Sequence, residues 1–137
     1  MTLNDLVTRV RSYTRDTTGT LFELSDIENF INEGIDKLRQ IKALETMATL
    51  THDDQSVDLL PPQYHYCLAV YSASRCFSQD EQHCLAQTFA EEFNGLYDLI
   101  ELGIKEGTIV IADDGGNVIN DNVSMDAVTN VYFEDYR

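Results

Sequence analysis

The stretch LSDIENFINEGIDKLRQI, residues 24–41, carries the clearest helical pattern in this chain of 137 residues. Its apolar positions recur at spacings of four and three residues, so they share one face of a helix. These positions are Ile27, Ile31, Gly34, Leu38 and Ile41. Ser25 and Glu28 have the spacing of a capping box, in which a serine and a glutamate three residues later cap the first turn. The sequence therefore predicts an amphipathic helix that starts at Ser25.

Gly34 is the unusual residue of that helix, because glycine in a helix interior costs roughly 1 kcal/mol relative to alanine. It lies in the apolar face between Ile31 and Leu38, so its missing side chain leaves a notch. We expect a neighbouring helix, the apolar third one, to approach closely at this notch. The alternative is that Gly34 is only a tolerated weak helix former. Asn32 and Glu33 point away from the face, where they can cap loops or contact a neighbouring subunit.

Three further helices are predicted around this one. A helical stripe of apolar residues runs from Leu3 to Val10. Residues 64–77 are apolar nearly all round, which predicts a helix buried on most sides. A second capping box, Ser78 with Glu81, is predicted to start a long fourth helix.

Residues 46–60 change from the helical period to an alternation of apolar and polar residues around the polar turn HDDQS, which predicts a β-hairpin. The predicted fold class is mainly α: a four-helix domain over residues 1–106, with this hairpin between helices 2 and 3. The fourth helix is predicted to stop at Gly103 or Gly107. An extended acidic C-terminal tail follows over residues 107–137, and within it TIVIADDGGNVIN predicts a short strand, a glycine turn and another short strand.

The charge of the chain is strongly negative, with 24 acidic and nine basic residues and a formal net charge of −15. Such a surface does not grip nucleic acid phosphates over most of its area. Its candidate basic face is on the first helix, where Arg9, Arg11 and Arg15 are candidate subunit contacts with an acidic partner such as the next copy of the chain. The alternative is an ordinary solvated or salt-bridged helix face.

The sequence contains no recognisable catalytic or metal-binding motif. Cys76, His83 and Cys84 lie close together in sequence, but their spacing is not that of a zinc site. There is no nucleophile elbow, phosphate-binding loop or zinc-protease motif. We therefore expect no enzyme activity, no cofactor and no metal. The odd number of cysteines fits free thiols in a reducing cytoplasm, and no apolar run or leader predicts membrane insertion or secretion.

The order of these elements resembles the head-to-tail adaptor (connector) proteins of tailed bacteriophages. In that family a short first helix precedes a helix of the pattern IxxFINEGIxxL, then a hairpin closing in Leu-Pro, then a tyrosine- and alanine-rich helix. The matching residues here are Ile27, Phe30, Ile31, Asn32, Glu33, Gly34, Ile35 and Leu38, then Leu60 and Pro61, then YHYCLAVYSASRCF. The resemblance covers residues 2 to about 106.

The resemblance implies a structural virion protein, made in the host cytoplasm and assembled at the neck of the particle. The family forms a homo-oligomeric ring, typically of twelve copies, under the portal vertex. The ring extends the DNA channel, through which DNA passes without sequence-specific binding, and offers a surface to the next neck or tail protein. C-terminal segments of the family dock onto the portal. The candidate residues for portal or neighbour docking here are Val128, Val131, Tyr132, Phe133, Tyr136 and Arg137.

The alternative hypothesis is a phage DNA-packaging or regulatory DNA-binding protein, such as a terminase small subunit. Helices 1 and 2 could then mimic a helix-turn-helix. The candidate recognition helix and the residues just after it carry four acidic against three basic residues, which matches a phosphate-lined groove poorly. These residues are Asp26, Glu28, Glu33, Asp36, Lys37, Arg39 and Lys42.

Overall fold

Four α-helices make up most of the structure, a computed structural model that describes residues 1–112 and 118–119. The helices are α1 (Leu3–Thr14), α2 (Leu24–Leu38), α3 (Cys67–Gln79) and α4 (His83–Glu106). Two single 3₁₀ turns, Lys42–Leu44 and Pro62–Tyr64, lie in the connection between α2 and α3. The prediction of a mainly helical fold with four helices is confirmed. None of the helices in the described part of the chain has both the length and the hydropathy to cross a bilayer.

The third helix is the centre of the fold, because α1, α2 and α4 all pack against α3. Its side chains are buried on most sides, as the apolar sequence predicts. The predicted face of α2 forms the other half of this core: Ile27, Ile31 and Leu38 are fully buried. Each of these side chains contributes about 1.5–3 kcal/mol when it is removed from water.

The helix starts differ from the predicted ones. A capping box is present in α1, where Asp5 N–H donates to Thr2 Oγ1 (3.2 Å) and Thr2 N–H donates to Asp5 Oδ2 (3.1 Å). The predicted box of Ser25 with Glu28 is wrong, since α2 starts at Leu24 and its N-cap residue makes no side-chain hydrogen bond. Ser25 is therefore already inside the first turn, and its backbone is no longer in the extended conformation of a cap.

The predicted capping box at the start of α4 is also wrong. Helix α3 continues through Ser78 to Gln79, and Glu81 adopts a left-handed backbone conformation with φ of 60°. Glu81 is consequently part of a tight turn between the two helices, and α4 begins only at His83. The short connection makes α3 and α4 neighbours in space, and their mutual packing covers the side of α3 that α1 and α2 leave free.

The predicted β-hairpin over residues 46–60 is wrong. This segment is irregular, and its backbone bonds to other parts of the chain. Leu3 N–H donates to Gln55 O (2.9 Å) and Val57 N–H donates to Met1 O (3.0 Å), so the start of α1 takes the place of a partner strand. The sequence alternates because some apolar residues of this irregular segment, including Leu50 and Val57, are buried against the core while polar residues lie between them.

A small antiparallel sheet does occur after α4, where the sequence predicts two short strands. Strand β1 (Ile111–Ala112) pairs with β2 (Val118–Ile119), with Ile111 opposite Ile119. Helix α4 stops at Gly107, whose φ of 80° is the left-handed conformation that favours glycine. Gly103 has a different role: a Cβ atom there would lie 2.5 Å from Ile109 Cδ1, so the chain folds back against the helix at that position.

Candidate functional site

The three candidate arginines of α1 do not form one free basic face. The Arg11 guanidinium is engaged within its own chain, where Nη1 lies 2.9 Å from Asp16 Oδ2 and donates to Phe22 O (3.1 Å). Arg9 and Arg15 are exposed, and Arg15 is the left-handed residue that ends α1. Of the three, Arg9 and Arg15 therefore present their charges to solvent, and Arg11 organises the loop between α1 and α2.

Asp16 holds that loop together and was missed by the sequence reading. Its side chain is almost fully buried, and it accepts hydrogen bonds from the backbone N–H groups of Thr20 (2.9 Å), Leu21 (3.1 Å) and Phe22 (3.0 Å). Burial raises the pKa of this carboxyl, but the three N–H donors and Arg11 outweigh burial, so the pKa lies below its usual value. The carboxylate thus fixes the path of residues 16–22.

Two leucines at the end of this loop and the start of α2 are exposed. Leu21 is 63 % exposed and Leu24, the first residue of α2, is 49 % exposed. We call Leu21 and Leu24 the loop patch. Leu21 shares a surface depression with Glu23, Asp26 and Asp80, so its surroundings are acidic and lie beside the turn that leads into α4.

A second apolar surface lies at the other end of α4. Leu99 and Leu102 are each 53 % exposed and stand one turn apart on the helix. Asp98 and Glu106 are exposed and lie one turn before and one turn after Leu102, on the same side. We call Asp98, Leu99, Leu102 and Glu106 the helix patch.

The small sheet adds two more exposed apolar side chains at this end of the molecule, Val110 and Val118. The sheet itself is anchored to α4 through Ile109, which packs on Gly103, and through the buried Ile111. Exposed apolar residues in the described part of the chain therefore gather near both ends of α4. At 1.5 Å per residue, His83 and Leu102 are about 30 Å apart along the helix.

Gly34 lies in close contact with the central helix. A Cβ atom at this position would lie 3.1 Å from Leu68 Cδ2 and 3.3 Å from Tyr71 Cδ2, both on α3. Next to the notch, Glu33 Oε1 accepts from Tyr71 O–H (3.2 Å) and lies 3.2 Å from Arg75 Nε. The glycine and its neighbour thus join α2 to α3.

Asn32 is used for a loop. Its side-chain amide donates to Leu50 O (3.0 Å) and accepts from Leu50 N–H (2.9 Å), which pins the irregular segment 46–60 to α2. Side-chain hydrogen bonds to backbone groups thus help to order both this segment, through Asn32, and the loop after α1, through Asp16. Neither arrangement produces a periodic sequence pattern.

The cysteines and histidines of the described residues do not come together in one cluster. Burial raises the pKa of the Cys67 and Cys76 thiols to about 12, so both behave as small apolar residues, whereas Cys84 is exposed. His65 is buried, and its Nε2 lies 2.6 Å from Leu60 O. No cluster of three or more metal-ligating side chains occurs among residues 1–112 and 118–119.

The predicted docking residues of the tail lie outside the described residues: Val128, Val131, Tyr132, Phe133, Tyr136 and Arg137. Their role in docking stays a prediction. Comparisons of the chain with protein-family models, with curated proteins and with solved structures found no match.

Proposed function

We propose that this chain is a head-to-tail adaptor of a tailed bacteriophage. It is a structural virion protein whose copies form a ring, with twelve copies as the family's usual number, between the portal and the next neck or tail protein. The ring extends the DNA channel at the neck of the virion. The chain is made in the host cytoplasm and performs no catalysis.

The observation that carries this proposal is the helix with the FINEGI sequence and its packing on α3. Gly34 brings α2 against Leu68 and Tyr71 of a tyrosine- and alanine-rich helix, and Leu60 and Pro61 precede that helix. These are the residues on which the resemblance to the adaptor family rests. The irregular segment 46–60 departs from the family pattern, because it lacks the hairpin.

The distribution of exposed side chains supports an assembly role. Exposed leucines lie on two different parts of the surface: Leu21 lies beside the turn that leads into α4, and Leu99 and Leu102 lie near the end of that helix. A protein with two unlike contact surfaces forms head-to-tail contacts, which close into rings when the rotation between copies allows it.

The charge of the chain suits a channel for DNA. Helix α4 alone carries five acidic residues and one lysine. Acidic side chains that face a lumen repel the phosphates of the duplex, so DNA can pass without sticking. Sequence-specific binding is therefore not expected.

The test is assembly with the portal protein encoded by the same genome. The purified chain is mixed with portal at several salt concentrations, and the mass of the particles is measured by mass photometry and their shape by electron microscopy. A ring of the chain on the portal is the expected result. A chain that stays monomeric in the presence of portal would refute the proposal.

A terminase small subunit or related DNA-binding regulator is the alternative. Arg39, in the stretch that would read DNA, is already occupied: its Nε donates to Met47 O (2.9 Å), its Nη2 to Thr49 Oγ1 (2.8 Å), and it pairs with Asp36. This engagement leaves the stretch from α2 to Lys42 with fewer free cations and favours the adaptor. A gel-shift assay with the packaging site of the same genome separates the two functions, since only the alternative predicts binding.

A further inference from the structure

We propose that Arg75 anchors a binding site for a carboxylate side chain of a partner protein, in a surface depression between α2 and α3. The depression is lined by Glu33, Asp36, Lys37, Gln40, Tyr71 and Arg75. The inference rests on the proposed function, in which the partner is the portal, and it names the chemical group that this chain receives from the portal.

Arg75 has an unusual place in the fold. It is the only charged side chain of α3, the helix that the other three cover on most sides, and it is exposed. It is also the only lysine or arginine between Lys42 and Lys105 in the sequence. The central helix therefore presents a single charge at the surface, and this charge is positive in a strongly acidic chain.

Two contacts orient the Arg75 guanidinium. Its Cζ lies over the Phe30 ring, 5.3 Å from the ring centroid, and its Nε lies 3.2 Å from Glu33 Oε1. Within residues 1–112 and 118–119 the guanidinium donates no hydrogen bond, whereas Arg11 and Arg39 donate to groups of their own chain. Arg75 is thus positioned in advance, with N–H groups that can still donate to a partner.

The charges of the depression favour an anionic partner group. Both of its carboxylates are engaged: Glu33 accepts from Tyr71 O–H (3.2 Å) and pairs with Arg75, and Asp36 pairs with Arg39. Lys37 is exposed and forms no ion pair in the described part of the chain. The depression therefore keeps an excess of positive charge.

A carboxylate fits this site better than other anions do. Two parallel N–H groups of a guanidinium match the two oxygens of a carboxylate, and Lys37 adds a second cation in the same depression. A nucleic acid fits poorly, because the phosphates next to the bound one would approach Glu33, Asp36 and an acidic surface.

A different protein is favoured over a second copy as the source of the carboxylate. Each copy of this chain brings a formal net charge of −15 to the contact, which opposes association. A different protein can carry one acidic segment without a net negative charge. Arginine and tyrosine, which stand together here as Arg75 and Tyr71, are also the residue types enriched at the centres of protein interfaces.

Side-chain NMR of the guanidinium groups tests the site on the chain alone, with acetate as the probe. Arg15 is the internal comparison, because it is exposed and lines none of the depressions described above. We expect acetate to shift the Arg75 N–H signals at least about threefold further than those of Arg15. Equal shifts would overturn the site, and a larger response to inorganic phosphate than to acetate would overturn its assignment to a carboxylate.

Truncation tests whether the same chain fills the site. If the Arg75 signals responded to acetate only in a chain that stops after residue 120, residues 121–137 would be the occupant. The assignment to a partner protein would then be overturned. An equal response of the full and the shortened chain is the expected result.

Portal binding tests the source of the carboxylate. Arg75→Gln and Lys37→Gln are each expected to weaken binding to the portal by about tenfold or more. Arg75→Lys keeps the charge but loses the parallel N–H groups, so it is expected to restore only part of the binding. Lys42→Gln is the matched control, because it removes one exposed cation outside the depression. Urea unfolding of each variant shows that it is folded.

A zero-length carbodiimide identifies the occupant, because it joins a lysine amine to a contacting carboxylate through an amide bond. We expect mass spectrometry to find Lys37 linked to an aspartate or glutamate of the portal, and this link to be lost in Arg75→Gln. A link from Lys37 to an isotope-labelled second copy instead would overturn the assignment.

The two proposals fail in different ways. Portal binding that Arg75→Gln leaves unchanged would overturn the site at Arg75 while the adaptor function stands. An unaltered chain that does not bind the portal would refute the adaptor function, and with it the portal as the source of the carboxylate. The acetate titration decides the site itself in either case.

Discussion

Replacing Asp16 by alanine is expected to destabilise the fold by about 3 kcal/mol or more. Asp16 is only 2 % exposed, and its carboxylate accepts hydrogen bonds from three backbone N–H groups and from the Arg11 guanidinium. A hydrogen bond to a charged group contributes about 1.5–3 kcal/mol, and an unpaired buried donor costs about 1–3 kcal/mol. The Phe22 N–H is buried and loses its partner outright, whereas the N–H groups of Thr20 and Leu21 can reach water in part.

The assay is urea unfolding followed by circular dichroism, with the free energy of unfolding taken from linear extrapolation. Asp54→Ala is the matched control, because it removes one carboxylate from an exposed turn and changes the net charge equally. This control is expected to shift the free energy by no more than about 0.5 kcal/mol. Asp16→Asn is expected to destabilise the fold less than Asp16→Ala and more than Asp54→Ala. The amide keeps one acceptor oxygen, but its NH₂ group points a donor toward the remaining N–H and Arg11.

Acid should remove the same interaction. The pKa of Asp16 is lowered in the folded chain, so its contribution is complete above the ordinary value of 3.8 and is lost as the pH falls through the lower folded pKa. A loss below about 1 kcal/mol for Asp16→Ala at neutral pH would show that the loop does not depend on this carboxylate, contrary to the reasoning above.

Three further outcomes test other parts of the structure. Gly34→Leu is expected to cost about 1–3 kcal/mol by overpacking against α3. Gly95→Ala, at an open helical position, is expected to raise the free energy of unfolding by up to about 1 kcal/mol. If Gly34→Leu and Gly95→Ala changed this free energy equally in urea unfolding, the close packing at Gly34 would be contradicted. Burial lowers the pKa of His65 in the folded chain, although the Leu60 carbonyl favours the protonated form. The contribution of neutral His65 to the stability of the fold should therefore be complete above about pH 6.5 and be lost as the pH falls through the folded pKa. His65→Gln should remove this part of the pH dependence of the unfolding midpoint. A chain that stops after residue 120 should keep its unfolding midpoint but lose portal binding. A chain that stops after residue 106 also loses the buried Ile109, so its free energy of unfolding should fall by about 2 kcal/mol or more. Portal binding by the chain that stops after residue 120 would contradict the docking role of the tail.

Periodicity predicted the helices because their burial repeats along the chain itself. The seam from Ile27 to Ile41 is buried throughout, and α3, apolar nearly all round, occupies the centre. The exposure of Leu99 and Leu102 on α4 could not be predicted from the sequence, because both are apolar residues next to a buried stripe. Exposure depends on which neighbouring elements reach that face, and this is a property of the whole fold.

The sequence failed where a segment is ordered by distant partners. Residues 46–60 alternate like a strand, but their backbone groups bond to the start of α1 and to Asn32. Asp16 is one of 24 acidic residues, and only the turn of the chain after Gly19 brings three N–H groups to its oxygens. Capping boxes also occur by chance in an acidic chain, which is why Ser25 and Ser78 were misleading.

The central position of α3 has a consequence for synthesis on the ribosome. Helices α1 and α2 precede α3 in the chain, but α4, which covers its remaining side, is completed only at Glu106. At about 5–20 residues per second, α4 leaves the ribosome a few seconds after α3 does, and during this time one apolar side of α3 stays uncovered. The nascent chain is therefore expected to recruit chaperones in this interval, and slow codons after residue 106, which delay the emergence of α4, should increase its aggregation.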